Sequence, residues 1–492
     1  MKKKRLNNSH SLKVNIIFNL LYELLVVFTP FITAPYVSRV LQPEGVGINS
    51  YTNSLLMYFT LFAALGTGSY GKKIISGLRD KIELYSEAFW EIEIISILMG
   101  SIFLVLWILF SLFYKQYRPY MLILSFTLLA TLFDISWLYG GLEKFQYIVG
   151  INSVFKIISV IAIFLFVKTE DDVLKYTAII SLSMLSGSIS MWLFLPQYVI
   201  RTNIKFSSLI KHFKGTIQYF VPSIATSIYT ILDKTLIGII TDSNSQNGYY
   251  EQATKIINII KSVCFNAING VIMARVSYLY TQNDEKELKK IKDKSFDLIS
   301  FLSVGACFGI IGISSVFVPL FFGDEYGPVI ILLKILAIAI VIIGISSVAN
   351  TTYYLPGAKI QKAAKRLMFG AGINILLNFL MIPFLHSYGA AAATLISESI
   401  ITFLFVNGTN GFIKWSDIWQ IMWKKICAGL VMLLALVMLQ NIFIELSKII
   451  LLCTEILIGG IVYILSLTLL KDISIMIAIK IVKNKFKKGK NV

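Results

Sequence analysis

The sequence predicts an all-α polytopic membrane protein with about fourteen transmembrane helices. The chain of 492 residues is 56% hydrophobic and has a mean hydropathy of +0.75, which soluble proteins do not reach over such a length. Its positive charge lies on alternate connections between the apolar segments: of 45 Lys and Arg residues, 33 fall on one side and six on the other. This bias follows the positive-inside rule and predicts a multi-pass protein of the cytoplasmic membrane with both termini in the cytoplasm.

The apolar segments follow one another with very short outer connections. The first could be mistaken for a signal peptide, but Asn15, Asn19 and Glu23 interrupt its apolar run, which also continues too far. The longer cytoplasmic connections mix basic and apolar residues at helical spacing, as surface-lying amphipathic helices do, and the basic tail from Lys471 is expected near anionic lipid headgroups. The predicted segments are 14–38, 46–70, 89–114, 119–141, 147–167, 176–196, 216–240, 248–280, 295–321, 327–349, 367–385, 388–408, 426–443 and 449–470.

Several classes of function are excluded by what the sequence contains. The four cysteines fall inside predicted segments with neither disulfide nor metal spacing, and the three histidines form no catalytic or metal pattern. No Walker motif or glycine-rich phosphate loop is present, so transport driven by the chain's own ATP hydrolysis is not expected. The net charge of +18 follows the membrane topology and does not indicate nucleic acid. We therefore expect no metal, no cofactor and a function among the spanning helices.

An internal repeat of about six helices is indicated by two corresponding regions. The first segment carries Pro30 and is followed by the polar opening at 45–53, and the seventh carries Pro222 and is followed by the one at 247–255. An even repeat gives two halves of the same orientation, related by an axis along the membrane normal. The predicted domains are an N-terminal lobe at 1–215, a C-terminal lobe at 216–408, and two extra helices with the basic tail at 409–492.

Polar residues at membrane depth mark the candidate site, because buried ionisable groups are costly and usually face a cavity or a partner. In the eighth segment they recur at spacings of 4, 3, 4, 4 and 3, which places them on one helical face with Lys261 beside it. Segments 1, 2, 7 and 8 are predicted to line a water-filled cavity with a net positive wall. The alternative is hydrogen bonding that holds a helix bundle together. The residues concerned are Glu251, Lys255, Asn258, Ser262, Asn266 and Asn269 in segment 8, Lys234 in segment 7, Asn19 and Glu23 in segment 1, and Asn49 and Asn53 in segment 2.

Two further pairs of ionisable residues share a depth in the membrane. Asp134 and Lys156 are predicted to form a structural ion pair, in preference to a role in transport. Lys334 and Glu398 are equally compatible with an ion pair and with a cavity wall. A cavity lined by cations implies an anionic cargo, and phosphate or pyrophosphate groups suit Lys and Arg.

Four stretches resemble the bacterial polysaccharide repeat-unit flippases of the Wzx type, which belong to the multidrug/oligosaccharidyl-lipid/polysaccharide exporter superfamily. The most specific is Thr-Ala-Pro-Tyr-Val-Ser-Arg-Val-Leu-Gln-Pro-Glu-Gly-Val-Gly at 33–47, where Gln42 stands in place of the family's usual glycine. The others are Tyr58-Phe59 with Ala-Leu-Gly-Thr-Gly-Ser-Tyr-Gly-Lys-Lys-Ile at 64–74, Leu-Asp-Lys-Thr-Leu-Ile-Gly at 232–238, and Gly-Tyr-Tyr-Glu-Gln-Ala at 248–253. The resemblance extends along essentially the whole chain, although the later helices match only in hydropathy.

This resemblance implies two six-helix lobes that form a V around a central cavity, followed by two extra helices. The implied cargo is an undecaprenyl-pyrophosphate-linked oligosaccharide for capsule or O-antigen-type polysaccharide, moved to the outer leaflet by alternating access. Membrane lipids, a polysaccharide polymerase and chain-length machinery are the implied partners. Arg39, Lys234, Lys255 and Lys261 are the candidate cations for the pyrophosphate and acidic sugars, and Glu23 and Asp233 are candidate sites for a coupling H⁺ or Na⁺.

Four other functions are to be weighed against this one. A lipid II flippase would differ only in its cargo, whereas a drug or ion antiporter fits less well because the stripe in segment 8 favours anions. A membrane polysaccharide polymerase should carry a sizeable outer loop or a carboxylate cluster, and the outer loops are too short for this. A structural scaffold would not need buried cations.

Overall fold

The computed structural model describes residues 8–476, apart from 203, 205, 283, 358, 444–445 and 473–474. Within its helices, the side chains of 8–28, 206, 221–223, 225–230 and 266–267 lie outside the description. The described elements are helical, in this order: α1 Asn8–Ala64, α2 Thr67–Leu78, α3 Ile82–Phe113, α4 Arg118–Leu132, α5 Ser136–Gly141, α6 Phe145–Phe166, α7 Val173–Trp192, α8 Phe206–Thr241, α9 Asn244–Lys261, α10 Ala267–Gln282, α11 Glu285–Phe321, α12 Gly327–Ala349, α13 Ile360–Asn407, α14 Trp415–Ile442 and α15 Lys448–Leu469.

The predicted fold class is confirmed. Ten helical stretches in the described residues are long and apolar enough to cross a membrane, since a spanning helix needs about 20 mostly apolar residues. The chain is therefore a multi-span integral membrane protein. The exact count of fourteen spans and the cytoplasmic orientation of the termini stay predictions.

Two of the long helices are broken by a residue with a positive φ angle. In α1 the break is at Gln42 (φ 56°, ψ 172°), and in α13 it is at His386 (φ 50°, ψ −130°). The Gln42 side-chain amide donates a hydrogen bond of 2.9 Å to the carbonyl oxygen of Arg39, which would otherwise lack a helical partner. Helix α1 thus consists of a first leg, 8–41, and a second leg, 43–64.

The helices form two compact units, divided between Gly248 and Tyr249. In the first unit, α1 packs against α3, α4, α6 and α8, and α4 packs against α7. Its core includes an aromatic cluster around Phe89, Trp137 and Tyr139, in which the rings of Phe89 and Trp137 stack with centroids 5.4 Å apart. Helix α8 belongs to this first unit. The predicted lobe boundaries at 215 and 408 stay predictions.

The second unit is held together at one end by a buried ion cluster. Lys425 of α14 is fully buried, and its Nζ atom lies 2.7 Å from Asp297 Oδ1 of α11 and 3.0 Å from Asp472 Oδ2, just after α15. It also donates to the carbonyl oxygen of Ile421 at 3.0 Å. Two carboxylates and a carbonyl satisfy the buried ammonium, as a buried charge requires, so α14 and α15 are packed parts of this unit.

Candidate functional site

The polar face predicted for the eighth segment begins on α9. There Lys255 Nζ lies 3.3 Å from Glu251 Oε1, one turn earlier, and both side chains are partly exposed. Asn258 is exposed, and Lys261 and Ser262 are half-buried. Lys255 and Lys261 therefore both lie in a helical stretch that is long and apolar enough to span a membrane. That placement is energetically costly unless water or an anion meets them.

The expectation of one uninterrupted α-helical face through this segment is wrong. Residues Ser262–Asn266 form a π-helical turn between α9 and α10. A π turn holds an extra residue and rotates everything after it relative to an ideal α-helix. Asn269, beyond the turn, donates a hydrogen bond of 2.7 Å from Nδ2 to Ser347 Oγ on α12. Its amide binds a neighbouring helix, whereas the Asn266 side chain lies outside the description.

Asp233 and Lys234, the acid and the cation predicted on α8, differ in how deeply they are buried. Asp233 is buried with 6% exposure, whereas Lys234 is half-buried. Close to them, Tyr58 Oη donates to Thr235 Oγ1 at 3.2 Å, and Thr235 donates to Ser54 Oγ at 3.0 Å. Asp233 acts electrostatically on the Tyr58 hydroxyl. It therefore lies where α8 packs on the second leg of α1.

The predicted residues of α1 divide into an exposed cation and an internal amide ladder. Arg39 is exposed, one turn before the break at Gln42. Asn53 Nδ2 donates to the carbonyl oxygen of Asn49 at 3.0 Å and to its Oδ1 at 3.1 Å, and Thr177 of α7 donates to the same Oδ1 at 3.2 Å. These amides join α1 to α7. The side chains of Asn19 and Glu23 lie outside the description.

Neither of the two predicted ionisable pairs is an ion pair. Among the described residues, no carboxylate oxygen lies within 4.0 Å of Lys156 Nζ or of Lys334 Nζ. Asp134 Oδ1 instead accepts a hydrogen bond of 2.9 Å from the backbone N–H of Ser136, at the start of α5. The prediction of an Asp134–Lys156 ion pair is wrong, because a shared depth does not bring two side chains into contact. Both line a cavity of about 460 Å³ inside the first unit.

Helix α8 packs against the second leg of α1 and, near its own N-terminus, against α2 and α3, and the start of α9 continues this contact along α1. We call this contact the seam. At the end predicted to lie outside, a Cβ on Gly47 would overlap the carbonyl of Asn244, and one on Gly248 would overlap that of Pro43. Tyr117 Oη donates to Asn244 Oδ1 at 2.8 Å beside this contact. Only glycine permits such an approach of backbone to backbone, so we call these residues the outer end of the seam.

At the end predicted to be cytoplasmic, the seam holds a buried polar triad, which we call the inner end. His212 Nδ1 lies 2.9 Å from Tyr70 Oη, and His212 Nε2 lies 3.1 Å from Glu91 Oε2. His212 precedes the seventh predicted segment, and burial lowers the pKa of its imidazole, although the Glu91 carboxylate opposes the shift. A neutral ring protonated on Nε2 satisfies both contacts: it accepts from Tyr70 and donates to Glu91.

The sequence pattern does not predict this triad, because His212 precedes the predicted segment 216–240 and Glu91 is not among the candidate residues. The signal was the run Trp90-Glu91-Ile92-Glu93, in which two acids alternate with apolar residues at the start of a long apolar segment. Both glutamates prove to be buried, and neither carboxylate oxygen of Glu93 has a hydrogen-bond partner among the described residues.

Comparison with known sequences gives a family and several relatives. A family model described as polysaccharide biosynthesis protein matches residues 12–279, more than half of the chain. A candidate O-antigen transporter of Escherichia coli (strain K12) is 24% identical over 407 residues, covering 81% of this chain and 97% of the relative. A candidate low-salt glycan biosynthesis flippase, Agl15 of Haloferax volcanii, is 25% identical over 225 residues, which are 44% of this chain and 46% of the relative.

Comparison with solved structures gives the same fold. The lipid II flippase MurJ in an inward closed conformation matches with a TM-score of 0.72 and 16% identity, over 93% of this chain and 98% of that one. An inward-facing multidrug transporter of the MATE family matches with a TM-score of 0.61 and 12% identity, over 80% and 94%. With the family match, these findings confirm the resemblance to the exporter superfamily that the sequence motifs indicated.

Proposed function

Because the chain belongs to the family of polysaccharide biosynthesis proteins, we propose that it moves lipid-linked oligosaccharide repeat units across the cytoplasmic membrane. The names of its relatives support this, since one is a candidate O-antigen transporter and another a candidate glycan biosynthesis flippase. The proposed cargo is an undecaprenyl-pyrophosphate-linked oligosaccharide for capsule or O-antigen-type polysaccharide. The protein acts as a transporter, without changing a covalent bond of its cargo.

The observation that carries this proposal is the pair of lysines on α9. Lys255 and Lys261 lie at membrane depth in a chain whose relatives handle glycans. A lysine in hydrocarbon is costly, so these side chains face water or an anion. A pyrophosphate group supplies two negative charges or more and several acceptor oxygens, which match ammonium donors.

The proposed mechanism is alternating access, in which lobes 1–215 and 216–408 rock about the bound headgroup while the lipid tail stays in the bilayer. Arg39, Lys234, Lys255 and Lys261 neutralise the pyrophosphate and acidic sugars. Glu23 and Asp233 are the proposed sites for a coupling H⁺ or Na⁺. Both termini remain in the cytoplasm, and a polymerase with chain-length machinery takes up the cargo outside.

The first test is to delete the gene and locate the accumulating lipid-linked repeat units. Intact protoplasts are treated with a membrane-impermeant reagent that labels sugars of the outer leaflet. We expect unlabelled units, because the cargo remains on the cytoplasmic side. Labelled units would show that flipping continues and would favour a polymerase. No accumulation would contradict the proposal and favour a lipid II or drug transporter.

The second test separates the charge of Lys255 from its pairing with Glu251. We expect Lys255→Ala to reduce export about tenfold or more, because one ammonium contact to the cargo is lost, and Lys255→Arg to retain most of it. The matched control is the double variant Glu251→Gln with Lys255→Gln, which removes the pair but leaves no unpaired acid. If the double variant exports normally, Lys255 serves only to neutralise Glu251 and the assignment fails.

A further inference from the structure

A half-open cavity of about 460 Å³ in the first unit is lined by residues of the first leg of α1, α4, α6 and α7, both polar and apolar. Its volume falls within the range of about 300–1,000 Å³ that small-molecule sites occupy. Unlike most such sites, its wall is rich in hydroxyl and amide groups, from Thr33, Thr131, Asn152, Ser159, Ser183 and Ser188. A cavity of this composition suits a hydroxylated ligand better than an apolar one.

Lys156 is the cation of this cavity, and none of the described residues pairs with it. Its Nζ atom makes neither a salt bridge nor a hydrogen bond within this part of the chain, although the side chain is half-buried in a spanning helix. Asp134 lines the same cavity, and its Oδ1 accepts a hydrogen bond from the backbone N–H of Ser136. An ammonium at this depth that no described residue pairs with is an anchor for a negatively charged group of a ligand.

The hydroxyl groups of the wall distinguish between possible anions. Thr33, Thr131 and Ser183 donate their protons to backbone carbonyl oxygens, of Thr29, Thr127 and Phe155 respectively. Ser159 likewise donates to the carbonyl oxygen of Lys156. Their oxygen atoms keep free lone pairs, so the wall presents mostly acceptors. Acceptors repel the oxygens of a phosphate but receive the hydroxyl protons of a sugar.

The charge of the cavity points the same way. Among the described residues that line it, Lys156 is the one cation, and its single positive charge matches a carboxylate better than a phosphate dianion. We propose that this cavity binds a carboxylated sugar, with the carboxylate on Lys156 Nζ and the sugar hydroxyls on the surrounding hydroxyl oxygens. The proposal rests on the proposed function in assigning this sugar to the cargo, and it makes the first unit a selectivity site for acidic repeat units.

The binding test uses the purified full-length protein in lipid nanodiscs, titrated by calorimetry with galacturonate, galactose or inorganic phosphate. We expect galacturonate to bind more tightly than either of the others. Lys156→Gln should weaken galacturonate binding about tenfold or more through loss of one charged hydrogen bond, and Lys156→Arg should retain binding. The matched control is Lys168→Gln, which removes one exposed positive charge just after α6 and outside the cavity; it should leave the affinity unchanged.

Three results would overturn the site: equal affinity for galactose, equal or tighter binding of phosphate, or unchanged affinity in Lys156→Gln. The melting temperature of each variant without ligand shows whether it folds, and Lys156→Arg provides a second folded variant. Binding does not require transport, so a failure of the flipping assay leaves this result standing, and the reverse also holds.

The assignment to the cargo is tested in proteoliposomes with two lipid-linked repeat units, one with a uronic acid and one neutral. We expect Lys156→Gln to slow the flipping of the acidic unit several-fold and to leave the neutral unit unaffected. If the variant loses galacturonate binding but flips the acidic unit as fast as the wild-type protein does, the cavity takes a free sugar acid and the cargo assignment is overturned.

Discussion

The two ends of the seam are closed by different physical means. At the outer end, Gly47 and Gly248 allow helices to meet backbone to backbone, beside the uncharged Tyr117–Asn244 hydrogen bond. At the inner end, Gly215 also packs closely, against the ring of Tyr70. That ring contacts His212, which also contacts Glu91, and the imidazole of His212 can change charge. The outer closure combines close backbone packing with an uncharged hydrogen bond, whereas the inner closure also depends on the protonation of one imidazole.

Because of this difference, pH and salt are expected to influence the inner end of the seam and not the outer end. Close packing is insensitive to pH and salt, because it consists of many short dispersion contacts between uncharged atoms. A buried hydrogen-bonded histidine is sensitive to pH near neutrality. If rocking of the lobes opens each end in turn, we expect the proton concentration on the cytoplasmic side to act on the inner end and not on the outer end.

The largest effect is expected from filling the outer end. In Gly47→Ala the new Cβ would lie 2.5 Å from the carbonyl carbon of Asn244 and 3.0 Å from the backbone nitrogen of Gly248, and closer still to the Asn244 oxygen. Backbone atoms cannot rotate away, so we expect a loss of about 3 kcal/mol, seen as a lower melting temperature in detergent. The matched control is Gly150→Ala in α6, where a Cβ meets open space and helix propensity favours alanine by about 1 kcal/mol. Equal melting temperatures would show that the outer end is loosely packed.

A smaller effect is expected from titrating the inner end. Because burial lowers the pKa of His212 below its usual 6.5, the unfolded chain binds a proton at a higher pH than the folded chain does. Stability is therefore full above about pH 6.5 and falls as the pH decreases below it. Glu91, Glu87, Lys211 and Tyr70 are the ionisable groups near this imidazole. We expect hydrogen exchange of the backbone around 209–216, corrected for intrinsic rates, to increase between pH 7 and pH 5.5.

The control for this titration is His212→Gln, which cannot titrate but keeps a donor and an acceptor. Its corrected exchange should not depend on pH over the same range. The backbone around 43–51, at the outer end, serves as an internal reference and should not respond in either protein. If hydrogen exchange in the wild-type protein depends on pH no more than it does in His212→Gln, the two parts of the seam do not differ in pH sensitivity.

The sequence predicts the fold class well because hydropathy and loop charge are local properties. It does not predict the π turn at Ser262–Asn266, because an ideal helix and a helix with an extra residue share the same apolar pattern. The shift redirects Asn269 toward Ser347. Packing between helices decides whether such a shift occurs, and the 3.6-residue periodicity of the sequence does not reveal it.

The candidate site shows the same limit. Spacing places Lys255 on a polar face, and the structure adds a partner only one turn away, Glu251. Contacts between segments far apart in the sequence cannot be predicted from the spacing of residues. His212 meets Glu91 across more than a hundred residues, and Asp134 and Lys156 share a depth without an ion pair. Which side chains face one another depends on the rotation of each helix, and hydropathy does not fix that rotation for helices apolar on most sides.

The smallest expected effect concerns the break that begins the outer end. Gln42 has φ 56° and ψ 172°, a region that is populated essentially by glycine and costs other residues about 1–3 kcal/mol. Gln42→Gly removes this strain but also the hydrogen bond to Arg39, so we expect a net gain of about 1 kcal/mol, seen as a small rise in melting temperature. Gln42→Ala is the control, because it loses the same hydrogen bond and keeps the Cβ, and it should lower the melting temperature. If both variants are destabilised alike, the hydrogen bond outweighs the strain. The outer end would then depend on a polar contact as the inner end does, and the contrast between them would narrow.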